Sequence, residues 1–163
     1  MISASAEYAL RAIVCLAGGK GLPMTSQHVA QLSRVPAGYL AKILQQLAKA
    51  GLVTSQRGLN GGFVLARPAD QITLLDVVHV SDPSRRIHSC PLGIASHGTR
   101  LCPLHRRLDQ AVELAEQALG ELSIAELLKQ SEATDPDLRP ACLGPRACAA
   151  AAAEALPEEV FDG

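Results

Sequence analysis

Apolar residues recur every three to four positions from the start of the chain: Tyr8, Ala12 and Leu16, flanked by Ala9 and Ile13, form one stripe that stops at Gly18-Gly19. That period predicts a first amphipathic helix with one buried face. The stretch TSQHVAQLSRV predicts a short second helix, with the hydroxyl of Thr25 or Ser26 accepting from an N–H group that the first turn leaves unpaired. After a tight turn, PAGYLAKILQQLAKAGLV predicts a third helix, with Pro36 at a first-turn position and Leu40, Ile43, Leu44 and Leu47 on one face. Gly51 closes it, and the second and third helices together predict a helix-turn-helix.

The pattern then shortens. Leu52 to Ser55 and Phe63 to Ala66 read as two strands around a glycine-rich hairpin containing Asn60-Gly61. A hairpin placed directly after a helix-turn-helix is a wing. Thr73 is expected to cap a further short helix, LLDVVHV, and residues 81–99 show weak periodicity. From Leu101 a helical stripe returns, carrying Leu104, Leu108, Ala111, Val112, Ala115, Ala118 and Leu119. A stripe of that length suits burial against a second copy of itself. Ser123 and Glu126 have capping-box spacing for a last short helix, and from Ser131 onward Pro, Asp, Glu and an alanine run predict a mobile acidic tail. The expected fold is mainly α: a winged helix-turn-helix domain over 1–80, a sensor loop over 81–103, a dimerisation helix with the following short helix over 104–130, and the tail over 131–163.

Composition narrows the function. With no Trp, two Tyr and two Phe in 163 residues, the core must be aliphatic. No basic and apolar leader opens the chain and no apolar run approaches a membrane span, so a cytoplasmic protein without membrane contact is expected. Five cysteines, an odd number, then argue for thiol chemistry, metal binding or burial rather than a disulfide framework. The net charge of -1 conceals an uneven distribution: residues 1–80 hold seven Lys/Arg against three Asp/Glu, and residues 131–163 hold two against seven. A phosphate-binding surface belongs in the basic N-terminal half.

On that half, the candidate contacts to double-stranded DNA are Ser26 and Gln27 at the start of the second helix, Tyr39, Lys42 and Gln45 on the third, and Arg57, Asn60 and Gly61 in the wing. Tyr, Lys and Gln can bond to phosphates or base edges, and an Arg among glycines can enter a groove. The stretches EYALRAIVCLA, YLAKILQQLAKAGLVTSQRGLNGGFVLAR and ITLLDVV resemble the Rrf2 family of bacterial winged-helix transcriptional regulators, over residues 1 to about 128. The resemblance implies a homodimer with paired C-terminal helices, each recognition helix in a major groove of a palindromic operator. It singles out Tyr39, Lys42 and Arg57 as DNA contacts.

The stretch SCPLGIASHGTRLCPLH, residues 89–105, lies where the family's iron–sulfur sensors carry their cluster loop. Cys90, Cys102 and His105 match the first cysteine, the last cysteine and the following histidine of that pattern, whereas Ser96 replaces the middle cysteine. Thiolates and imidazole suit an Fe–S cluster or zinc, and four ligands are needed. The resemblance points to the first helix of the partner subunit for the fourth, making Glu7 the first candidate and Cys15 the second, with His97 and His88 in reserve. The plainer roles are a helical ion pair of Glu7 with Arg11 and a buried small side chain at Cys15. Two cysteines per site favour [2Fe–2S] over [4Fe–4S]. A metal-free sensor that oxidises Cys90 and Cys102 reversibly, zinc, and no chemistry at all remain alternatives.

Cys142 and Cys148, in CLGPRAC, match no strong metal template and read as incidental thiols. No dinucleotide fingerprint, P-loop or nucleophile elbow is present, so a repressor responding to redox state, iron–sulfur status or nitric oxide is expected rather than a cysteine-dependent enzyme.

Overall fold

A computed structural model of the chain describes residues 2–58, 61–83, 86–90 and 101–133. Asn60, Ser96, His97, Cys142 and Cys148 lie outside the described residues, as does the expected tail over 131–163 except for 131–133, which α6 extends to include. The elements run α1 (Ala4–Gly18), α2 (Ser26–Ser33), α3 (Ala37–Lys49), β1 (Val53–Gln56), β2 (Gly62–Leu65), a 3-10 turn (Ala69–Gln71), α4 (Leu74–Ser81), α5 (Pro103–Gly120) and α6 (Ile124–Ala133).

The local chemistry of the caps explains most boundaries. The Ser3 hydroxyl accepts from the Ala6 N–H at the start of α1, and Thr25, not Ser26, caps α2 by accepting from His28 N–H. Thr73 and Asp76 form a reciprocal capping box on α4, and Ser123 and Glu126 form the expected one on α6. Hydrogen bonds from the backbone N–H and hydroxyl of Ser123 hold the Glu126 carboxyl below its usual range. Pro36 is the residue before the first turn of α3 rather than inside it, which suits a residue with no N–H to donate.

Helix α1 lies at the centre, packed against α2, α3, α4, α6 and β2. Ile13, Val29, Leu40, Ile43, Leu44, Leu47, Ile72, Val77 and Ile124 are essentially free of solvent exposure and form one aliphatic core. Removing each such side chain from water contributes roughly 1.5–3 kcal/mol. Ile124 belongs to α6, so the chain returns to the N-terminal core after α5. The return is stitched by Leu74 N–H donating to Leu122 carbonyl (3.0 Å) and Ile124 N–H to Ile72 carbonyl (2.8 Å).

The hairpin pairs Val53 with Leu65 through Gln56 with Gly62. Its first strand starts one residue later than the apolar pattern predicts, because Leu52 N–H bonds back to Leu47 carbonyl and finishes the turn that ends α3. The second starts and ends one residue earlier, because Phe63 also exchanges backbone hydrogen bonds with Met24 (3.1 and 2.7 Å). Gly62 permits that approach: a Cβ there would stand 2.5 Å from the Met24 backbone.

Helix α5 has no buried residue. Leu104, Leu108, Ala111, Ala115 and Ala118 are exposed along one seam with alternating spacings of four and three. Val112 and Leu119, expected on the same stripe, are half-buried. At about 100° per residue they lie on the face that also carries His105, Asp109 and Glu116. The single stripe of the sequence is therefore two neighbouring faces, one turned toward the protomer and one outward. No helix among the described residues is long and apolar enough to cross a membrane.

Candidate nucleic-acid interface and sensor site

The surface of α3 follows from its period. Leu40, Ile43, Leu44 and Leu47 face the core, which leaves Tyr39, Lys42, Gln45, Gln46 and Lys49 exposed on the other side. Ser26 and Gln27 are exposed in the first turn of α2, and Arg34 in the left-handed conformation (φ 54°) makes the tight turn toward α3. Arg57 is exposed where β1 leaves the sheet. Gly58 has φ 122°, a conformation suited to glycine, and Gly61 N–H closes the turn onto Gly58 carbonyl at 2.9 Å. A Cβ on Gly61 would stand 2.5 Å from Gln56 carbonyl, so its role is to let the wing fold. Asn60 lies outside the described residues.

Tyr39 has a second duty that its position on α3 alone does not reveal. Its hydroxyl shares a 2.6 Å hydrogen bond with Ser5 Oγ, and its ring meets that of Tyr8 edge-on, with centroids 5.7 Å apart. Arg11 sits over the Tyr8 ring (5.8 Å) and pairs with Glu7 one turn earlier. Helix α1 thereby supports the N-terminal end of the recognition helix through an aromatic and polar cluster.

The second group of residues meets at the start of α5. Cys102 precedes its first turn and His105 lies within it. Cys102 Sγ is 3.2 Å and Cys90 Sγ 3.8 Å from His105 Nδ1. The structure thus brings Cys90, Cys102 and His105 together, although among the described residues no three His, Cys, Asp or Glu side chains surround a common point as a metal cage. None of the described cysteines is in a disulfide. Glu7 is exposed on α1 and is held by Arg11 in its own protomer. Cys15 is fully buried, 4.0 Å from Met24 Sδ. His88 is exposed.

One charged group here has no signal in the sequence. The Arg86 guanidinium makes two parallel hydrogen bonds to Asp109, Nε to Oδ1 and Nη2 to Oδ2, both 2.8 Å. Ile87 N–H adds a third to Asp109 Oδ1 at 2.8 Å. Glu113 (3.4 Å) and Glu116 (3.7 Å) also face the guanidinium, and His79 on α4 approaches Glu116 at 3.7 Å. The paired guanidinium, with the Ile87 N–H, holds the Asp109 carboxyl down at about 2, and the same pairing raises Arg86. Twenty-three residues separate the partners in a stretch without periodicity, so no local spacing could have found them.

A recognition helix set on a three-helix core and followed by a glycine-turned hairpin defines a winged helix-turn-helix DNA-binding protein. A family model described as Rrf2, iron-dependent transcriptional regulator, matches residues 2–130, and the chain belongs to that family. It is a transcriptional regulator and not an enzyme. Among solved structures it is similar to CymR of B. subtilis, the global cysteine regulator, with 27% identity and a TM-score of 0.66 over 83% of this chain and 98% of that one. It is also similar to T. potens IscR, with 26% identity and a TM-score of 0.68 over 83% and 91%. The oxidized form of CymR from Staphylococcus aureus, 24% identical with a TM-score of 0.61 over 78% and 94%, shares the fold.

Proposed function

We propose that the protein is a homodimeric repressor that binds a palindromic operator and senses redox state, iron–sulfur status or nitric oxide through a cluster held at the start of α5. The observation that carries this reading is the meeting of Cys90 and Cys102 at one nitrogen of His105. Two thiols and an imidazole are the donor types of a mixed-ligand cluster, and they supply three of four positions. Glu7 of the partner subunit is the proposed fourth, since it is exposed and carboxylate oxygen completes such a set. Two thiolates favour [2Fe–2S] over [4Fe–4S]. When bound, the cluster supplies a charge that changes with its oxidation state or with attack by nitric oxide. The protein's own residues do the rest. Cys102 and His105 fix the site to α5, and engaging Glu7 would require it to leave Arg11, which lies on the Tyr8–Tyr39 cluster beneath the recognition helix. The IscR likeness supports the reading.

The division into a DNA-binding domain over 1–80, a sensor loop over 81–103 and a dimerisation helix from 104 belongs to the same proposal, with the exposed seam of α5 as the dimer contact. A metal-free thiol switch is the second reading. It is favoured by the 3.2 Å contact between Cys102 Sγ and His105 Nδ1, which offers the proton acceptor that thiol oxidation uses, and by the CymR likeness. Operator affinity measured with the cluster oxidised, reduced and removed separates the readings. A cluster sensor changes affinity among the three states, whereas a thiol switch responds to oxidant without iron.

The DNA contacts are proposed to be Tyr39, Lys42 and Gln45 on α3, Ser26 and Gln27 at the start of α2, and Arg57, Asn60 and Gly61 in the wing, with Gly61 acting through backbone shape. Arg57→Ala is expected to weaken operator binding by about 1–3 kcal/mol through loss of a groove contact. Lys42→Ala should weaken it across sequences and reduce the salt slope by about one. Titrations of a selected operator at two salt concentrations check both, and wild-type affinity in Arg57→Ala would remove the wing from the interface.

A further inference from the structure

The segment that carries Cys90 belongs to no helix or strand, yet its thiol lies 3.8 Å from a nitrogen fixed on α5. What holds it there is a separate question from what it binds. Cys102 and His105 are placed by the first turn of α5 itself. Among the described residues, the segment ahead of Cys90 is tied to α5 through Arg86 and Ile87, which meet Asp109, with Glu113 and Glu116 also facing the guanidinium. Three hydrogen bonds of 2.8 Å join Arg86 and Ile87 to Asp109. Asp109 lies four residues after His105, so the two contacts of the segment with α5, Arg86 to Asp109 and Cys90 to His105, are about 6 Å apart along the helix.

We infer that Arg86 is a positioning residue for the sensor site, clamping residues 86–90 along one turn of α5 so that the Cys90 thiol stays beside Cys102 and His105. The inference rests on the reading that these three residues form the sensing site. The tether lengths give its scale. Ile87 is three residues from Cys90, a reach of about 10 Å at full extension, enough to span the roughly 6 Å between the two contacts along α5. Without the clamp the nearest upstream anchor among the described residues is Asp82, whose carboxylate accepts from Ser3 N–H at 3.1 Å, eight residues ahead of Cys90. Lengthening the tether from three residues to eight lowers the effective concentration of one thiol at the other by about fourfold, using the -3/2 power of length.

The surrounding charges explain why an arginine serves. Asp109, Glu113 and Glu116 share one side of α5, and His79 of α4 and His88 also lie near these carboxylates. A guanidinium can hold Asp109 with two parallel bonds while still facing the other two carboxylates. A lysine ammonium has one point of charge and cannot make the paired contact. The clamp is half-sheltered, with side-chain exposures of 29% for Arg86 and 15% for Asp109, so its geometry is less easily traded for water than that of an open surface pair.

The test uses the full chain, metal-free and reduced, with Cys142 and Cys148 replaced by alanine, and dibromobimane as a short cross-linker that bridges two thiols. The intramolecular Cys90–Cys102 cross-link is followed by fluorescence and by peptide mass, and thermal unfolding is recorded in parallel. Wild type should cross-link rapidly. Asp109→Ala, which removes the acceptor of both Arg86 and Ile87, should slow the reaction about fourfold, and Arg86→Met, which leaves the Ile87 bond in place, by less, with Arg86→Lys nearer wild type, while the unfolding transition stays cooperative. Asp109→Ala decides the matter if Arg86→Met does not fold. Wild-type rates in a folded Arg86→Met or Asp109→Ala protein would overturn the clamp. So would rates that fall only in step with loss of the unfolding transition, or a wild-type protein that does not cross-link. Iron binding by the unmodified protein is measured separately, so failure of the cluster reading leaves this result standing on its own.

Discussion

Leu108→Glu is expected to leave the protein monomeric and unable to hold a two-site operator. Leu104 is 64% exposed and Leu108 48%, and Ala111, Ala115 and Ala118 continue the same outward seam at alternating spacings of four and three. Leu114, 67% exposed, lies at its flank. Alternating four and three is the repeat of two helices packed side by side, and alanines in the C-terminal half let the backbones approach closely there. A carboxylate at position 108 would be buried twice in a symmetric pair, opposite or near its own copy. An unpaired buried charge costs about 3–5 kcal/mol, and two like charges add repulsion. Sedimentation of the variant should give a folded monomer. A control at Val112, which faces the protomer, should disturb folding before it disturbs association. A dimeric Leu108→Glu protein with normal operator binding would place the interface elsewhere.

Leu44→Ala carries the largest expected cost in stability. Leu44 is fully buried on α3, in the same cluster as Ile13 of α1, Val29 of α2 and Val77 of α4. Truncating such a side chain removes its burial and leaves a cavity that neighbouring elements fill only in part, a loss of about 2–5 kcal/mol. A small domain has on the order of 5–15 kcal/mol in total. Chemical denaturation should therefore show a midpoint far below wild type. The position has a functional consequence as well: the residues that turn Lys42 and Gln45 outward are the ones that anchor Leu44 and its neighbours inward, so operator affinity should fall with stability. Gln46→Ala, on the exposed side of the same helix, should leave the midpoint within about 0.5 kcal/mol of wild type. An unchanged midpoint in Leu44→Ala would contradict the assigned core.

The helices and the wing were legible because their signals are local. The spacing of Leu40, Ile43, Leu44 and Leu47 fixes which side of α3 is buried, and the Ser123–Glu126 pair marks the start of α6 on chemistry within one turn. Strand ends were less legible, since they depend on Met24, a residue far away in sequence whose backbone pairs with Phe63. The stripe on α5 was read as one face, because a run of leucine and alanine does not say which apolar positions meet the protomer and which meet a partner. At the start of α5, the family resemblance pointed to Cys90, Cys102 and His105, and the fold brings them together. The Arg86–Asp109 clamp was illegible, as charges with no periodic setting choose partners only when the chain has folded. Tyr39 shows both cases at once: its exposed place on the recognition helix follows from spacing, but its bond to Ser5 does not.

Cys90, Cys102 and His105 are proposed to hold an iron–sulfur cluster. The most direct measurement is the iron and acid-labile sulfide bound per chain after anaerobic reconstitution, with absorption recorded between about 300 and 600 nm, as expected of thiolate-ligated clusters. Wild type should retain stoichiometric iron and sulfide with a visible chromophore. Cys90→Ala and Cys102→Ala should lose both, His105→Ala should shift or destabilise the chromophore, and Cys142→Ala should match wild type. Wild-type protein that holds no more iron and sulfide than Cys90→Ala would contradict the claim and leave the thiol switch as the account of this site.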